Sequence, residues 1–137
     1  MRTAIDTNVF SVIWSSEFSA EKATAQLNEA KMEGLLVISP FVFAELLAYP
    51  RATEAFVRGF LQATGVVVDL KLEERVWTIA GLRYARYTAR RRQATGECPR
   101  RILADFLIGA HALVQAERLL TLDPKRYSQD FPELRLL

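Results

Sequence analysis

The first ten residues read MRTAIDTNVF (residues 1–10) and indicate how the chain folds. Arg2–Ile5 is a short strand candidate, and the Asp-Thr-Asn run that ends it consists of residues that favour turns and helix caps. In an open parallel sheet, the loops at the carboxyl ends of the strands form the ligand-binding crevice. The opening stretch therefore predicts a strand whose end carries an acid, Asp6, into such a crevice.

Strand and helix candidates alternate along the rest of the chain. Further strands are predicted at Leu35–Ile38, Val66–Val68 and Leu119–Leu122, with a possible fifth at Leu134–Leu137. Helices are predicted at Ser19–Glu33, Pro40–Ala48, Thr53–Ala63, from Leu72 to a break near Gly96–Pro99, and at Arg101–Ala116, and a short turn or helix begins at Asp123-Pro124. Apolar strands that alternate with helices predict an α/β protein with three layers, α/β/α, around a central, mostly parallel sheet of four to five strands.

Length and composition restrict the class of protein. The 137 residues are 50% hydrophobic and 25% charged, which predicts one globular domain over residues 1–137. Cys98 is the single cysteine, so no intrachain disulfide or Cys-rich zinc site can form, and a reducing, cytoplasmic location is expected. The uncharged run 34–44 is too short to span a bilayer and contains Pro40, so no membrane association is expected.

Three acids stand alone in apolar surroundings. Asp6, Glu45 and Asp105 are the only charged residues in the stretches 3–16, 34–50 and 102–116, respectively. A helix that is apolar on all sides is buried, so the helices of Glu45 and Asp105 are expected to hold these carboxylates away from bulk water. A buried, ionised carboxylate needs a partner charge, a metal ion or a raised pKa.

Each acid also has a structural explanation. Asp6 and Asp123 precede helix-start signals and could be helix N-caps, while Glu45 and Asp105 could each pair with an arginine. However, Asp6 and Asp123 follow strand candidates directly, and Glu45 and Asp105 can reach the same crevice from their helices. Four carboxylates in one crevice would need a divalent cation. Oxygen ligands with no cysteine cluster favour Mg²⁺ or Mn²⁺ over Zn²⁺, and metal-assisted attack on a phosphodiester is then the expected chemistry.

Positive charge is concentrated between residues 83 and 101. This segment carries seven arginines and one acid, a net charge of +6, whereas the whole chain carries +2. The arginines are Arg83, Arg86, Arg90, Arg91, Arg92, Arg100 and Arg101. Because guanidinium groups bind phosphate oxygens through two parallel hydrogen bonds, the segment is predicted to contact a polyanion or an acidic partner. The alternative is a solvated helix face with no partner.

Five segments in order resemble the PIN-domain ribonucleases, most closely the toxin half of VapBC toxin-antitoxin pairs. They are AIDTNVF (4–10), FAELLAYP (43–50), ADFLIGAHAL (104–113), LLTLDPKRY (119–127) and FPELRLL (131–137), and they span nearly the whole chain. The resemblance implies that Asp6, Glu45, Asp105 and Asp123 hold Mg²⁺ or Mn²⁺ and activate water for RNA cleavage, with Thr7, Asn8 and Thr121 as supporting polar residues. It also implies a homodimer and an antitoxin whose tail occupies the cleft, so that the arginines serve either RNA or that tail.

Two other functions remain open from the residues. One is a PIN-fold nuclease in RNA processing that has no antitoxin. The other is a phosphoacceptor signalling domain with Asp69, at the end of the third strand, as the acceptor. Against this second function, the first strand ends in a single acid and no lysine follows the last strand. His111 is interpreted as a packed or surface histidine, because its spacing turns it away from Asp105 on their helix.

Overall fold

The computed structural model describes residues 1–95 and 101–137. Strands and helices alternate through these ranges. In chain order they are β1 (Arg2–Ile5), α1 (Thr7–Ser15), α2 (Ala20–Glu33), β2 (Leu35–Ile38), α3 (Pro40–Leu47), α4 (Glu54–Thr64), β3 (Val66–Val68), α5 (Glu74–Thr95), α6 (Leu103–Gln115), β4 (Arg118–Leu120) and α7 (Lys125–Ser128). The predicted break near Gly96–Pro99 lies outside the described residues.

The four strands in the described ranges form one sheet with the order β3-β2-β1-β4, and every neighbouring pair is parallel. The predicted α/β/α architecture is therefore confirmed. The possible fifth strand at Leu134–Leu137 is wrong as a full strand, because within the described ranges it makes one isolated bridge, from Leu136 to Leu119. Since all strands run the same way, the segments that leave their carboxyl ends meet at one edge of the sheet.

Helix α6 crosses the centre of the molecule. Residues 106–112 are buried without interruption, as expected for a helix that is apolar on nearly every side. Gly109 allows this close packing, because a Cβ atom there would lie 2.6 Å from the ring of Phe131. The first turn of α6 carries Asp105, so the packing of this helix positions that acid.

Two sequence predictions near the sheet need correction. No range was predicted for helix α1, because its sequence VFSVIWS is rich in β-branched and aromatic residues, but the alternative of Asp6 as a helix N-cap is what the structure shows, and Val9 and Phe10 are buried. Strand β4 begins at Arg118, one residue before the predicted start, and ends at Leu120. Arg118 fits inside the fold because its Nε atom donates to the hydroxyl of Thr3 at 2.8 Å.

The remaining differences are shifts of one or two residues at helix ends, where capping decides the boundary. Helix α4, for example, begins at Glu54 because the hydroxyl of Thr53 accepts a hydrogen bond from the backbone of Phe56 at 3.0 Å. No helix in the described part of the chain is long and apolar enough to cross a membrane.

Candidate active site: a carboxylate cleft

Asp6 lies directly after β1 and caps α1, with 2% of its surface exposed. Its Oδ1 atom accepts a hydrogen bond from the backbone of Thr7 at 2.8 Å. Its Oδ2 atom accepts hydrogen bonds from the hydroxyls of Thr121 at 2.9 Å and Tyr127 at 2.8 Å. An ionised carboxylate has about four acceptor sites, so three bonds fix its orientation and leave one direction for a further ligand.

Three of the four predicted acids face one cavity. Asp6 from the end of β1, Glu45 from α3 and Asp105 from α6 line a space of about 270 Å³, which we term the carboxylate cleft. The other lining residues are Thr7, Asn8, Ser11, Val12, Ile108 and Arg126. These acids are distant in sequence, and the parallel sheet brings them to the same edge.

Asp105 belongs to the first turn of α6, where its Oδ2 atom accepts a hydrogen bond from the backbone of Ile102 at 3.3 Å. A carboxylate is favoured at this end of a helix because the unpaired backbone N–H groups there carry partial positive charge. Its side chain is about one-sixth exposed. Asp105 is therefore anchored at the helix terminus while its other oxygen remains directed to the cleft.

Glu45 differs from the sequence prediction, because the residue is exposed at the rim of the cleft. Helix α3 buries Val42 and Leu46 but presents Glu45 to the opening, so an apolar composition did not imply burial on every side. The hydroxyl of Thr7 donates to Glu45 Oε1 at 2.7 Å. Glu45 is thus oriented toward Asp6 by the residue that follows Asp6 in the sequence.

Asp123 is not among the residues that line the cleft. Its half-exposed carboxylate lies 3.4 Å from the Nε atom of Arg126. The N-cap interpretation of Asp123 is wrong, because α7 begins at Lys125 and Pro124 occupies the cap position. Asp123 therefore contacts Arg126 and does not line the cleft with the other three acids.

The supporting polar residues join the two loops that carry Asp6 and Asp123. The side-chain amide of Asn8 donates to the hydroxyl of Thr121 at 3.3 Å, and its carbonyl accepts from the backbone of Leu122 at 3.1 Å. The Thr121 hydroxyl also accepts from the backbone of Asp123 at 3.1 Å. Asn8 and Thr121 therefore hold the loop after β4 against the start of α1.

Two residues of the site were not singled out from the sequence. Tyr127 binds Asp6 as described above, and the Nη1 atom of Arg126 lies 3.5 Å from Asp105 Oδ1. Both follow Asp123 by three or four residues, so a helical turn after the fourth strand places them at the same edge of the sheet. That spacing was the signal in the sequence that could have identified these two residues.

Burial and like charge shift the titration of the acids. Burial raises the pKa of Asp6, although the hydrogen bonds from Tyr127 and Thr121 oppose the shift. Partial burial also raises the pKa of Glu45, opposed by the Thr7 hydroxyl and reinforced by the negative charges of Asp6 and Asp105. Two of the three acids are thus less stable as ions in the fold than in water.

The pKa values of Arg126 and Tyr127 are raised as well. Partial burial disfavours the charged form of Arg126, but Asp105 and Asp6 more than compensate and raise its pKa. Burial and the charge of Asp6 raise the pKa of Tyr127, so its hydroxyl remains a hydrogen-bond donor. Arg126 is therefore the cation that partly neutralises the cleft.

The donor set suits a hard divalent cation, because carboxylate oxygens are the protein ligands that Mg²⁺ and Mn²⁺ prefer. Burial is the main cause of the raised pKa values of Asp6 and Glu45, so a bound cation would offset the cost of ionising them. In the described ranges, however, no three acidic, histidine or cysteine side chains are close enough to form a complete metal site. The residues fit such a cation in kind, and binding would require their side chains to move closer together.

Several arginines of the segment 83–101 are paired within the fold. Arg83 binds Glu133 and donates to the backbone carbonyl of Asp130 at 2.9 Å, and Arg90 lies 3.0 Å from the Asp130 carboxylate. Arg101 lies 3.0 Å from the other oxygen of Asp130. We term these five residues the ion-pair cluster.

The other arginines of the segment have different positions. Arg86 and Arg92 are exposed on α5, Arg91 on the same helix is half-buried, and Arg100 lies outside the described residues. Arg86 also lines a cavity of about 280 Å³ beside Arg83 and Arg90. The exposed members remain available to a partner.

Asp69, the acceptor in the signalling alternative, is not in the cleft. Its carboxylate is bound by Arg2 at 3.0 Å, His111 at 3.0 Å and Gln115 at 2.9 Å. His111 is 1% exposed, so it is a packed histidine, and burial lowers its pKa. This cluster joins the loop after β3 to α6 and gives Asp69 a structural role.

The structure is thus an α/β protein with a four-stranded parallel sheet and with acids from three elements at its carboxyl edge. The profile of the PIN domain, a nuclease family, matches residues 3–131, and the chain belongs to that family. No curated protein sequence matches the chain.

Solved structures agree on the fold. The chain is similar to VapBC2 from Rickettsia felis bound to a promoter DNA fragment, with a TM-score of 0.68 and 19% identity over 100% of this chain and 98% of that chain. It is also similar to VapBC-1 from nontypeable Haemophilus influenzae, with a TM-score of 0.62 and 22% identity over 100% and 97%. FitAcB from Neisseria gonorrhoeae aligns with a TM-score of 0.57 and 19% identity over 98% and 96%. These likenesses establish a shared fold.

Proposed function

We propose that this protein is a metal-dependent endoribonuclease that acts in the cytoplasm as the toxin of a type II toxin-antitoxin pair. The observation that supports this most directly is the convergence of Asp6, Glu45 and Asp105 on one cavity. The PIN family membership supports the nuclease class, and the VapBC neighbours support an antitoxin of the VapB kind as partner. A homodimer, expected from the sequence resemblance, is part of the same proposal.

In this function, Asp6, Glu45 and Asp105 would hold Mg²⁺ or Mn²⁺, with Asp123 able to join them if Arg126 moves. The chemistry that such a cation supplies is activation of a water and neutralisation of charge at the scissile phosphate. Thr121 and Tyr127 keep Asp6 in one orientation by donating to its Oδ2 atom. Thr7 orients Glu45 through the 2.7 Å hydrogen bond to its carboxylate.

RNA would approach over the arginines of α5. Arg86 and Arg92 are exposed and can bind backbone phosphates, which provides affinity and salt dependence but no choice of sequence. Arg83, Arg90 and Arg101 are committed to the ion-pair cluster, so their contribution is to hold the segment that follows α7 and carries Asp130 and Glu133.

The test is cleavage of total RNA by the purified protein with Mg²⁺, with Mn²⁺ and with EDTA. We expect cleavage that requires the cation and falls at least about 100-fold in Asp6→Asn and in Asp105→Asn. Glu54→Gln is the matched control, because Glu54 is an exposed acid on α4 outside the cleft. Full cleavage by Asp105→Asn in Mg²⁺ would contradict the proposal.

A second measurement addresses the toxin role. Expression of the wild type in a bacterial host should arrest growth, and Asp6→Asn should relieve the arrest. Co-expression of an acidic-tailed DNA-binding protein encoded directly upstream should restore growth and inhibit the purified nuclease. RNA cleavage without growth arrest, and with no such inhibitor, would favour an RNA-processing nuclease.

A further inference from the structure

Arg126 is the one basic side chain among the described residues that line the carboxylate cleft. Its Nη1 atom lies 3.5 Å from Asp105 Oδ1, and its Nε atom lies 3.4 Å from Asp123 Oδ2. The guanidinium therefore bridges one acid of the cleft and the acid behind it. Arg126 thus lies beside carboxylates whose negative charges require a counter-ion.

These contacts are loose compared with other ion pairs of the same protein. Charge-assisted hydrogen bonds between a guanidinium and a carboxylate are typically about 2.7–2.9 Å long. Arg101, by contrast, lies 3.0 Å from Asp130 and is 15% exposed, whereas the side chain of Arg126 is 37% exposed. Arg126 is long, partly in solvent and weakly bound, so it can leave the carboxylates without any change in the core.

A divalent cation and a guanidinium need the same carboxylate oxygens. Like charges in one cavity repel, so a cation that enters the cleft weakens the hold on Arg126, and Arg126 in turn weakens cation binding. A guanidinium released beside the cleft is well suited to bind a phosphate through two parallel hydrogen bonds.

We propose that Arg126 is an internal counter-cation of the carboxylate cleft, which competes with the divalent cation for Asp105 and binds the phosphate of the substrate once it is displaced. This inference rests on the proposed function. It adds that Arg126 neutralises Asp105 when no divalent cation is bound. Arg126 is a positioning residue in the metal-free protein and a phosphate ligand in the loaded one.

The first test measures Mn²⁺ affinity by electron paramagnetic resonance, which follows free Mn²⁺ without any need for turnover. Arg126→Gln should bind Mn²⁺ about five- to tenfold more tightly than the wild type, because the competing charge is gone. Lys125→Gln is the matched control, since it removes an exposed positive charge from the neighbouring residue of α7 and should change the affinity less than twofold. Arg126→Lys, which retains the charge, should lie close to the wild type.

The second test measures binding of adenosine 5′-monophosphate, which carries a phosphate but no phosphodiester to cleave. With saturating Mn²⁺, Arg126→Gln should bind it several-fold more weakly than the wild type, and in EDTA the two should differ less. Equal nucleotide affinity of both proteins in Mn²⁺ would overturn the phosphate-binding part of the inference.

The outcomes separate the inference from the proposed function. Equal Mn²⁺ affinity of the wild type and Arg126→Gln overturns the competition, even if the wild type cleaves RNA. Tighter Mn²⁺ binding by Arg126→Gln in a protein that cuts no RNA supports the competition and contradicts the nuclease. Mn²⁺ binding by neither protein overturns both. If Arg126→Gln is poorly folded by circular dichroism, Arg126→Ala takes its place: a Mn²⁺ affinity equal to that of the wild type overturns the competition, and a tighter one supports it.

Discussion

The carboxylate cleft and the ion-pair cluster are two groups of charges in one small protein, and they are built in opposite ways. In the cluster, Arg83, Arg90 and Arg101 surround Asp130 and Glu133, so each acid has a close cation. In the cleft, the one arginine among the lining residues, Arg126, is loosely bound and lies 3.5 Å from Asp105. Arg101 joins the two regions, because its Nε atom also lies 4.0 Å from Asp105 Oδ2.

The titration of the acids follows this difference. In the cluster, the hydrogen bond from Arg83 lowers the pKa of Glu133 to about 2. In the cleft, burial raises the pKa values of Asp6 and Glu45. Paired charges stabilise the fold, whereas under-neutralised charges reduce its stability and are retained where a ligand must bind.

Loss of a cluster acid should produce the largest change in stability. Asp130→Asn removes the negative charge between Arg90 and Arg101, and the Asp130 carboxylate is 6% exposed. We expect the free energy of unfolding to fall by about 3 kcal/mol, because breaking a buried ion pair leaves an uncompensated charge. Urea denaturation monitored by circular dichroism measures the change.

The exposed pair of Glu54 and Arg58 on α4 provides the control for this experiment. Glu54→Gln should lower stability by less than about 0.5 kcal/mol, as is typical of surface pairs. A loss of similar size in both variants would mean that the cluster is no more than a solvated face.

In the cleft, by contrast, the addition of a divalent cation should increase the stability of the protein. At a Mg²⁺ concentration about 100 times its Kd, the wild type should gain about 2.7 kcal/mol of stability by mass action. Asp105→Asn has lost a ligand and should gain much less, whereas Asp130→Asn should gain as much as the wild type. Thermal melts in EDTA and in Mg²⁺ check this, and an equal shift in Asp105→Asn and the wild type would show that Asp105 is structural.

A smaller effect is expected from neutralising Glu45 in EDTA. Because the pKa of Glu45 is raised in the fold above its usual value of 4.5, its contribution to stability is present below that value and is lost as the pH rises through the raised pKa. Glu45→Gln should therefore be more stable than the wild type at pH 7, by less than about 1 kcal/mol since Glu45 is exposed at the rim. The difference should shrink toward pH 5, and a variant less stable than the wild type at pH 7 would contradict the account.

The smallest effects should come from single exposed arginines. Arg86→Gln and Arg92→Gln should each weaken RNA binding a few-fold at low salt and reduce the slope of log K against log salt by about one. Neither variant should alter unfolding, in contrast to Arg101→Gln. RNA affinity measured by filter binding at several salt concentrations checks this, and unchanged affinity in both would indicate a solvated helix face.

Isolated charges made much of the site predictable from the sequence. Asp6, Glu45 and Asp105 stood out because each was the only charge in an apolar stretch, and the structure brings these three to one cavity. Their use as metal ligands stays a prediction. Arg126 and Tyr127 were not predicted, because a short helix after the last strand has no strong periodicity, and their role depends on what lies opposite.

The sequence by itself determined the class of fold and the order of strands and helices along the chain, because apolar runs, caps and breakers act locally. Only the tertiary structure decided which charges are paired. The sequence predicted one basic surface that includes Arg83, Arg90 and Arg101. In the fold, however, Asp130 and Glu133 pair with these arginines. The physical reason is that electrostatic pairing depends on distance in space, and residues about 30 to 50 positions apart in sequence meet only when the helices pack.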